Sequence, residues 1–211
     1  MSEGYPLVLR LTGRRCVVVG GGAVAARKLA ALVNTGAELL VVAPVVSEEI
    51  ERLVSSAGGR LERRPFEPSD LDGATLAFAA TNQTDVNRAV VEAAMMRGVL
   101  VNVADDPAAC DFTVPAVVRR GDVALAISTG GRSPAFARFL REQLAEWLTD
   151  SRCQLLDLVA ELRRELLRDG RSPDGGVWKR ALADQQVGDA LEAGNRDSAR
   201  SRLLDILAPD L

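Results

Sequence analysis

No histidine occurs among the 211 residues. Proton transfer or metal ligation therefore falls to carboxylates, hydroxyls, thiols or backbone rather than to imidazole. Only Lys28 and Lys179 of the 26 cationic side chains are lysine. Nearly all positive charge thus sits on guanidinium groups, which grip carboxylates in a bidentate way. Genome composition produces the same bias, so the surplus acquires chemical meaning only beside a site. Aromatic residues make up 4% of the chain and the formal net charge is −3. Few stacking platforms and no general attraction for polyanions argue against nucleic-acid binding. The three cysteines, Cys16, Cys110 and Cys153, are odd in number and far apart. That spacing fits reduced thiols better than a disulfide framework or a zinc site, and each reads first as a small buried apolar residue. No resident metal site is expected. Apolar runs are strand-sized, and "MSEGYPLVLR" lacks a cationic flank before an apolar core. Neither a membrane span nor a signal peptide is expected, which leaves the cytoplasm as the expected compartment.

Forty-seven per cent of the residues are hydrophobic, enough for one buried core with a smaller appendage. From residue 15 to about residue 102, apolar runs alternate with helical spacing: "CVVVG", then Ala25, Leu29, Leu32 and Val33; "LLVVAP", then a helix from Ser47; "RLERRPF"; "TLAFAAT", then a helix from Asp85 to Arg97; and "VLVNVA". Strands without polar alternation, each followed by a helix, predict a parallel sheet covered on both faces, a Rossmann-like α/β fold. "FTVPAVVRRGDVALAIST" predicts two strands joined at Gly121-Asp122. A helix follows from Pro134 to Leu148, and from Asp150 the chain reads as helical with a break at 169–176. The expected division is 1–112, 113–149 and 150–211.

"VVVGGGAVAARK", residues 17–28, holds the first motif. Gly20-x-Gly22-x-x-Ala25 fits the dinucleotide fingerprint, at the strand-to-helix junction where the fingerprint belongs. The first glycine permits the turn, the second lets backbone approach a pyrophosphate, and the small third residue lets helix and strand pack closely. The acid that holds the ribose in a usual NAD site is missing, because the second strand ends at Ala43-Pro44. No arginine stands there for an NADP phosphate either. Ribose recognition falls to backbone around Ala43, Pro44 and Val45.

"NVADDPAACDF" places Asp105, Asp106 and Asp111 just past the last parallel strand, at the carboxyl edge where open α/β sheets bind ligands. Asp106 before Pro107 reads as a solvated turn. Asp105, first off the strand, is placed to face the crevice as a proton acceptor beside a nicotinamide. In "STGGRSPAFARFLRE", residues 128–142, Ser133-Pro134 begins a helix and Gly130-Gly131 free the backbone, so hydroxyls and amides are expected to converge on an anion. Arg132, Arg138 and Arg141, with Arg119 and Arg120, form either a guanidinium wall or an ordinary solvated face.

Together "LRLTGRRCVVVGGGAVAARK", "AATNQTDVN" and "VNVADDPAACDFTVPAVVRRGDVALAISTGGRSPAFARFLRE" resemble the siroheme synthase dehydrogenase module, the precorrin-2 dehydrogenase and sirohydrochlorin ferrochelatase family. The resemblance covers about residues 5 to 150. It implies a homodimer with an NAD-binding domain, a dimerisation region and a helical C-terminal domain. It also implies oxidation of precorrin-2, a tetrapyrrole rich in carboxylates, to sirohydrochlorin. Some members then insert a metal, so Fe2+ or Co2+ enters as a possible substrate. Position by position, it implies that Gly20, Gly22, Ala23 and Val24 hold the pyrophosphate, Pro44 and Val45 the adenosine side, and that Thr81 and Asn82 lie near the cofactor. Asp105 takes the place of the essential aspartate. Thr129, Gly130, Gly131, Ser133 and Arg138 are assigned to the tetrapyrrole, Thr129 standing where some members carry a phosphorylatable serine. The rival readings are a nucleotide-sensing regulatory module, which usually keeps the ribose acid, and a dehydrogenase for a small polar substrate. The second lacks a histidine or lysine acid–base group in the expected crevice.

Overall fold

The computed structural model describes residues 4–209, which divide after Val114 into two units. The first is a five-stranded parallel sheet. Its strands are β1 (Arg15–Val19), β2 (Glu38–Val42), β3 (Arg60–Glu62), β4 (Ala74–Ala79) and β5 (Leu100–Val103), in the order β3-β2-β1-β4-β5. Its helices are α1 (Ala23–Ala30), α2 (Glu48–Ser56) and α3 (Thr84–Arg97). Val17 to Val19 and Val41 to Val42 are all but fully buried, because both faces of the sheet are covered. On one face Cys16, Val18, Val41 and Phe78 pack with Ala25, Ala26 and Leu29 of α1 and Ile50 of α2. On the other Val17, Val19, Ala77, Val101 and Val103 pack with Val90, Ala93 and Ala94 of α3. The Rossmann-like α/β fold anticipated from the alternating runs is the fold observed.

Two local differences stand out. The spacing that put Leu32 and Val33 on the first helix overran it: α1 ends at Ala30, and a 3-10 turn, Val33–Thr35, follows. The Thr35 hydroxyl donates to the Leu32 carbonyl at 2.6 Å, and Gly36 takes a left-handed φ of 71°. The polar run Asn34-Thr35-Gly36 thus tightens and stops the helix. The run "RLERRPF" yields only the three residues of β3, because its second half serves a buried ion pair. Arg64 donates to both oxygens of Asp70, at 2.9 and 2.6 Å, and the Glu67 N–H donates to Asp70 Oδ2 at 2.9 Å.

Burial disfavours the charge on Asp70, but the hydrogen bonds from Arg64 and the Glu67 amide outweigh it and hold the carboxyl below its ordinary range. A carboxyl depressed in the folded state stabilises the fold above its unfolded value, near 3.9, and that contribution is lost as pH falls through the folded value. Arg64→Ala strands a buried carboxylate. With Arg64 itself about one-third exposed, solvent screens part of that cost, and the expected outcome is a modest loss of stability at neutral pH. Denaturant midpoints should show that loss shrinking below about pH 4.

The second unit begins with the hairpin β6 (Ala116–Arg120) and β7 (Val123–Ile127), an antiparallel pair turning at Gly121-Asp122. Next come α4 (Pro134–Trp147), α5 (Asp150–Arg168), α6 (Gly175–Leu182), α7 (Gln185–Glu192) and α8 (Arg196–Leu207). Leu158, Leu162 and Leu166 of α5 meet Ala181, Val187, Leu191, Ala199 and Leu203 in one apolar core. Side-chain caps start every helix of this unit: Ser133, Thr149, Asp174, Asp184 and Asn195 each accept an amide of the first turn. Among the described residues, no helix is long and apolar enough to cross a membrane.

Candidate active site

The three glycines do three different jobs. Gly20 has φ 136°, and a Cβ there would stand 2.3 Å from the Ala80 carbonyl oxygen, so only glycine lets β1 leave the sheet beside β4. Gly21, which the fingerprint treats as a free position, is the most confined. A Cβ there would lie 1.8 Å from the Val45 carbonyl oxygen, and its own carbonyl accepts the Ser47 N–H at 2.9 Å. The glycine turn is therefore laced to the Pro44–Val45 loop that stands in place of the missing acid. Gly22 is open, with nothing within 4 Å of the Cβ position.

Gly22 is also the N-cap of α1, with extended backbone and no side-chain cap. The first intrahelical bond runs from the Ala26 N–H to the Gly22 carbonyl. The amides of Ala23, Val24 and Ala25 therefore have no helical acceptor. Gly22 and Ala23 are exposed and Val24 half-buried, so free amide donors stand at an open helix start, an arrangement that suits an anion. The residues present fit a nicotinamide dinucleotide. Pro44 and Val45 are exposed beside this turn.

Thr81, by contrast, has little left to offer a ligand. Its N–H donates to Asn87 Oδ1 at 3.2 Å, its carbonyl accepts from Asn87 Nδ2 at 3.0 Å, and its hydroxyl lies 2.8 Å from Asn87 Oδ1. Asn87, on α3, is a site-shaping residue that sequence reasoning missed. Asn82 remains exposed.

Asp105 sits just past β5, after the Ala104 N–H makes the last ladder bond to the Ala79 carbonyl at 2.8 Å. Its φ is 62°, and among the described residues no other non-glycine residue has a positive φ. Aspartate tolerates that region better than most side chains, but at a cost near 1–2 kcal/mol relative to glycine. Lys28 of α1 is half-buried. Burial pushes its ammonium below the ordinary lysine range, Arg27 adds to that, and the fields of Cys110 and Asp105 oppose it. The field of Asp105 therefore reaches Lys28, one of the two lysines in the chain, on the helix that follows the glycine turn.

In the second unit the expected anion loop is built differently from expectation. Gly130 and Gly131 take left-handed φ values of 60° and 76°. The hydroxyls, however, close the turn itself. Thr129 Oγ1 donates to the Ser133 carbonyl at 3.2 Å, and Ser133 Oγ accepts the Phe136 N–H at 3.1 Å. Arg119 and Arg120 are neighbours on β6 and point to opposite faces, and Arg120 is paired with Asp150 at 2.9 Å. Arg138 is exposed and forms no ion pair among the described residues.

Residues 7–116, more than half of the chain, match the NAD(P)-binding family model, and residues 120–146 match that of the sirohaem biosynthesis protein central region. The chain belongs to the siroheme synthase NAD(P)-binding module family. Siroheme synthase of Pseudomonas fluorescens (strain SBW25) is 38% identical over 96% of this chain and 44% of its own length. That of Methylobacillus flagellatus is 33% identical over 98% and 44%. The chain thus spans less than half the length of these curated siroheme synthases. The solved structure of SirC, precorrin-2 dehydrogenase, superposes with a TM-score of 0.71 at 29% identity, covering 96% of this chain and 98% of that one. The glycine turn and Asp105 both lie in the matched NAD(P)-binding segment of the module.

Proposed function

We propose that the chain oxidises precorrin-2 to sirohydrochlorin with NAD+, and that Asp105 accepts the proton. The observation that carries this reading is Asp105 itself, an aspartate held at φ 62° at the carboxyl end of the sheet. An unfavourable backbone conformation kept at a ligand-binding edge points to a functional demand on that side chain. The siroheme synthase relatives and the superposition on SirC supply the substrate class. NAD+ is assigned over NADP+ because β2 runs out into Ala43-Pro44, which offers no cation for a ribose phosphate.

Gly20, Gly22, Ala23 and Val24 hold the diphosphate through backbone, Pro44 and Val45 border the adenosine, and Asn82 lies towards the nicotinamide. When bound, the nicotinamide supplies the hydride acceptor. The Asp105 carboxylate takes the proton lost from the macrocycle. Thr129, Gly130, Gly131, Ser133 and Arg138 are assigned to the substrate, with Arg138 offering a guanidinium to a substrate carboxylate. If Fe2+ or Co2+ is inserted, it is a substrate that ends in the macrocycle.

We further assign residues 113–149 to a homodimer interface. On α4 the stacked Phe136 and Phe139, and Trp147 further along the helix, are each about half exposed, which is costly without a cover. Incubation of the purified chain with NAD+ and precorrin-2 is expected to produce the sirohydrochlorin absorption spectrum, and light scattering on the same sample to read a dimer. A folded, NAD+-binding protein that leaves the precorrin-2 spectrum unchanged would overturn the enzymatic reading and favour a nucleotide sensor.

A further inference from the structure

β5 is an outer strand of the sheet, so one of its edges carries main-chain groups with no neighbouring strand. The chain turns back after Asp105 and fills them itself. The Val101 N–H donates to Asp111 Oδ2 at 2.9 Å, and the Asp111 N–H donates to the Val101 carbonyl at 2.9 Å. Two residues on, the Val103 N–H donates to Cys110 Sγ at 3.1 Å. The same sulfur lies 3.3 Å from the Val103 carbonyl and 3.2 Å from the Asp106 carbonyl, one of which receives its S–H. Buried Asn102 donates to the Phe112 carbonyl at 2.9 Å, and Asp106 Oδ1 accepts the Ala109 N–H at 3.3 Å.

Asp105 is the residue these bonds bracket. Before it, Ala104 is fixed by the ladder bond to Ala79; after it, Asp106 accepts the Ala109 N–H through its carboxylate and has its carbonyl 3.2 Å from the Cys110 sulfur. A lone aspartate is strained at φ 62° and relaxes if its flanks are free to move. We propose that Cys110 and Asp111 are positioning residues, which clamp the 105–112 loop to the β5 edge and so hold Asp105 in its left-handed conformation. The catalytic part of this inference rests on Asp105 being the proton acceptor; the clamp itself does not.

Two measurements on the full chain separate these layers. First, Cys110→Ala and Asp111→Ala are each expected to lower kcat for precorrin-2 oxidation about tenfold or more, as when a supporting hydrogen bond behind a reacting group is removed. KM for NAD+ stays within about twofold. Cys110→Ser, whose hydroxyl both donates and accepts, should recover most of the rate. Second, Asp105→Gly removes the left-handed strain and is expected to raise the melting temperature by about 2–4 °C in the wild-type background. In the Cys110→Ala or Asp111→Ala background, where the loop has already relaxed, that gain disappears. An equal gain in all backgrounds, or alanine variants with wild-type kcat, overturns the proposal. If the wild-type chain does not oxidise precorrin-2 and the melting-temperature gain still vanishes in the alanine variants, the clamp stands and the reading of the reaction falls.

Discussion

Asp105→Asn is expected to lower kcat for precorrin-2 oxidation by about a thousandfold, equivalent to about 4 kcal/mol of lost transition-state stabilisation. The magnitude follows from removing the proposed general base from a chain that has no histidine to replace it. The fold should not respond. Asparagine is nearly isosteric with aspartate and is among the residues most tolerant of φ near 60°, so the loop keeps its course and the melting temperature stays within about 1 °C. NAD+ affinity should also stay within about twofold, because the diphosphate is proposed to sit on Gly22, Ala23 and Val24 at the start of α1. Stopped-flow absorbance for the rate, with fluorescence titration for NAD+, checks both parts. A variant turning over at the wild-type rate would remove Asp105 from the chemistry.

The second large effect separates two adjacent glycines. Gly21→Ala places a methyl 1.8 Å from the Val45 carbonyl oxygen, and the obstacle is main chain, which cannot rotate away. Either the β2–α2 loop or the start of α1 must shift, at about 3 kcal/mol, or a fall in melting temperature near 10 °C. In Gly22→Asp the new Cβ meets nothing within 4 Å. Aspartate at an N-cap accepts first-turn amides that glycine leaves free, so the fold should become a few tenths of a kcal/mol more stable. The same carboxylate occupies the diphosphate's place and repels it, so NAD+ affinity should fall at least about a hundredfold. Stability and affinity then move in opposite directions at one residue and together at its neighbour. Calorimetry of both variants, with and without NAD+, reads the contrast, and a Gly22→Asp protein with wild-type affinity would show the cradle to lie elsewhere.

How much of these features is legible in the sequence depends on their range along the chain. Buried parallel strands announce themselves as continuous apolar runs, and the Ser47, Ser133 and Thr149 caps lie within three residues of the amides they accept. The confinement of Gly21 arises where the chain passes Val45, and a pattern written as glycine, any residue, glycine carries no trace of it. Likewise Asn87, Cys110 and Asp111 act across six to ten residues on backbone whose course is set by the sheet. Cys110 looked like an apolar filler because a thiol is usually that; only the unpaired edge of β5 gives it something to hold. That Arg119 and Arg120 do not share a face was legible locally, since adjacent strand residues point to opposite sides.

The clamp on β5 also has a consequence for association. With Val101 and Val103 already bonded to Asp111 and Cys110, that margin offers no main-chain partner to an incoming strand. At the opposite margin β3 contributes only three residues, too short a template for stable β-augmentation. The five-stranded sheet is therefore closed to growth in both directions. Any assembly through this unit must be made by side chains meeting side chains, and substitutions on its helices and loops, rather than on its strand edges, will decide which molecules it joins.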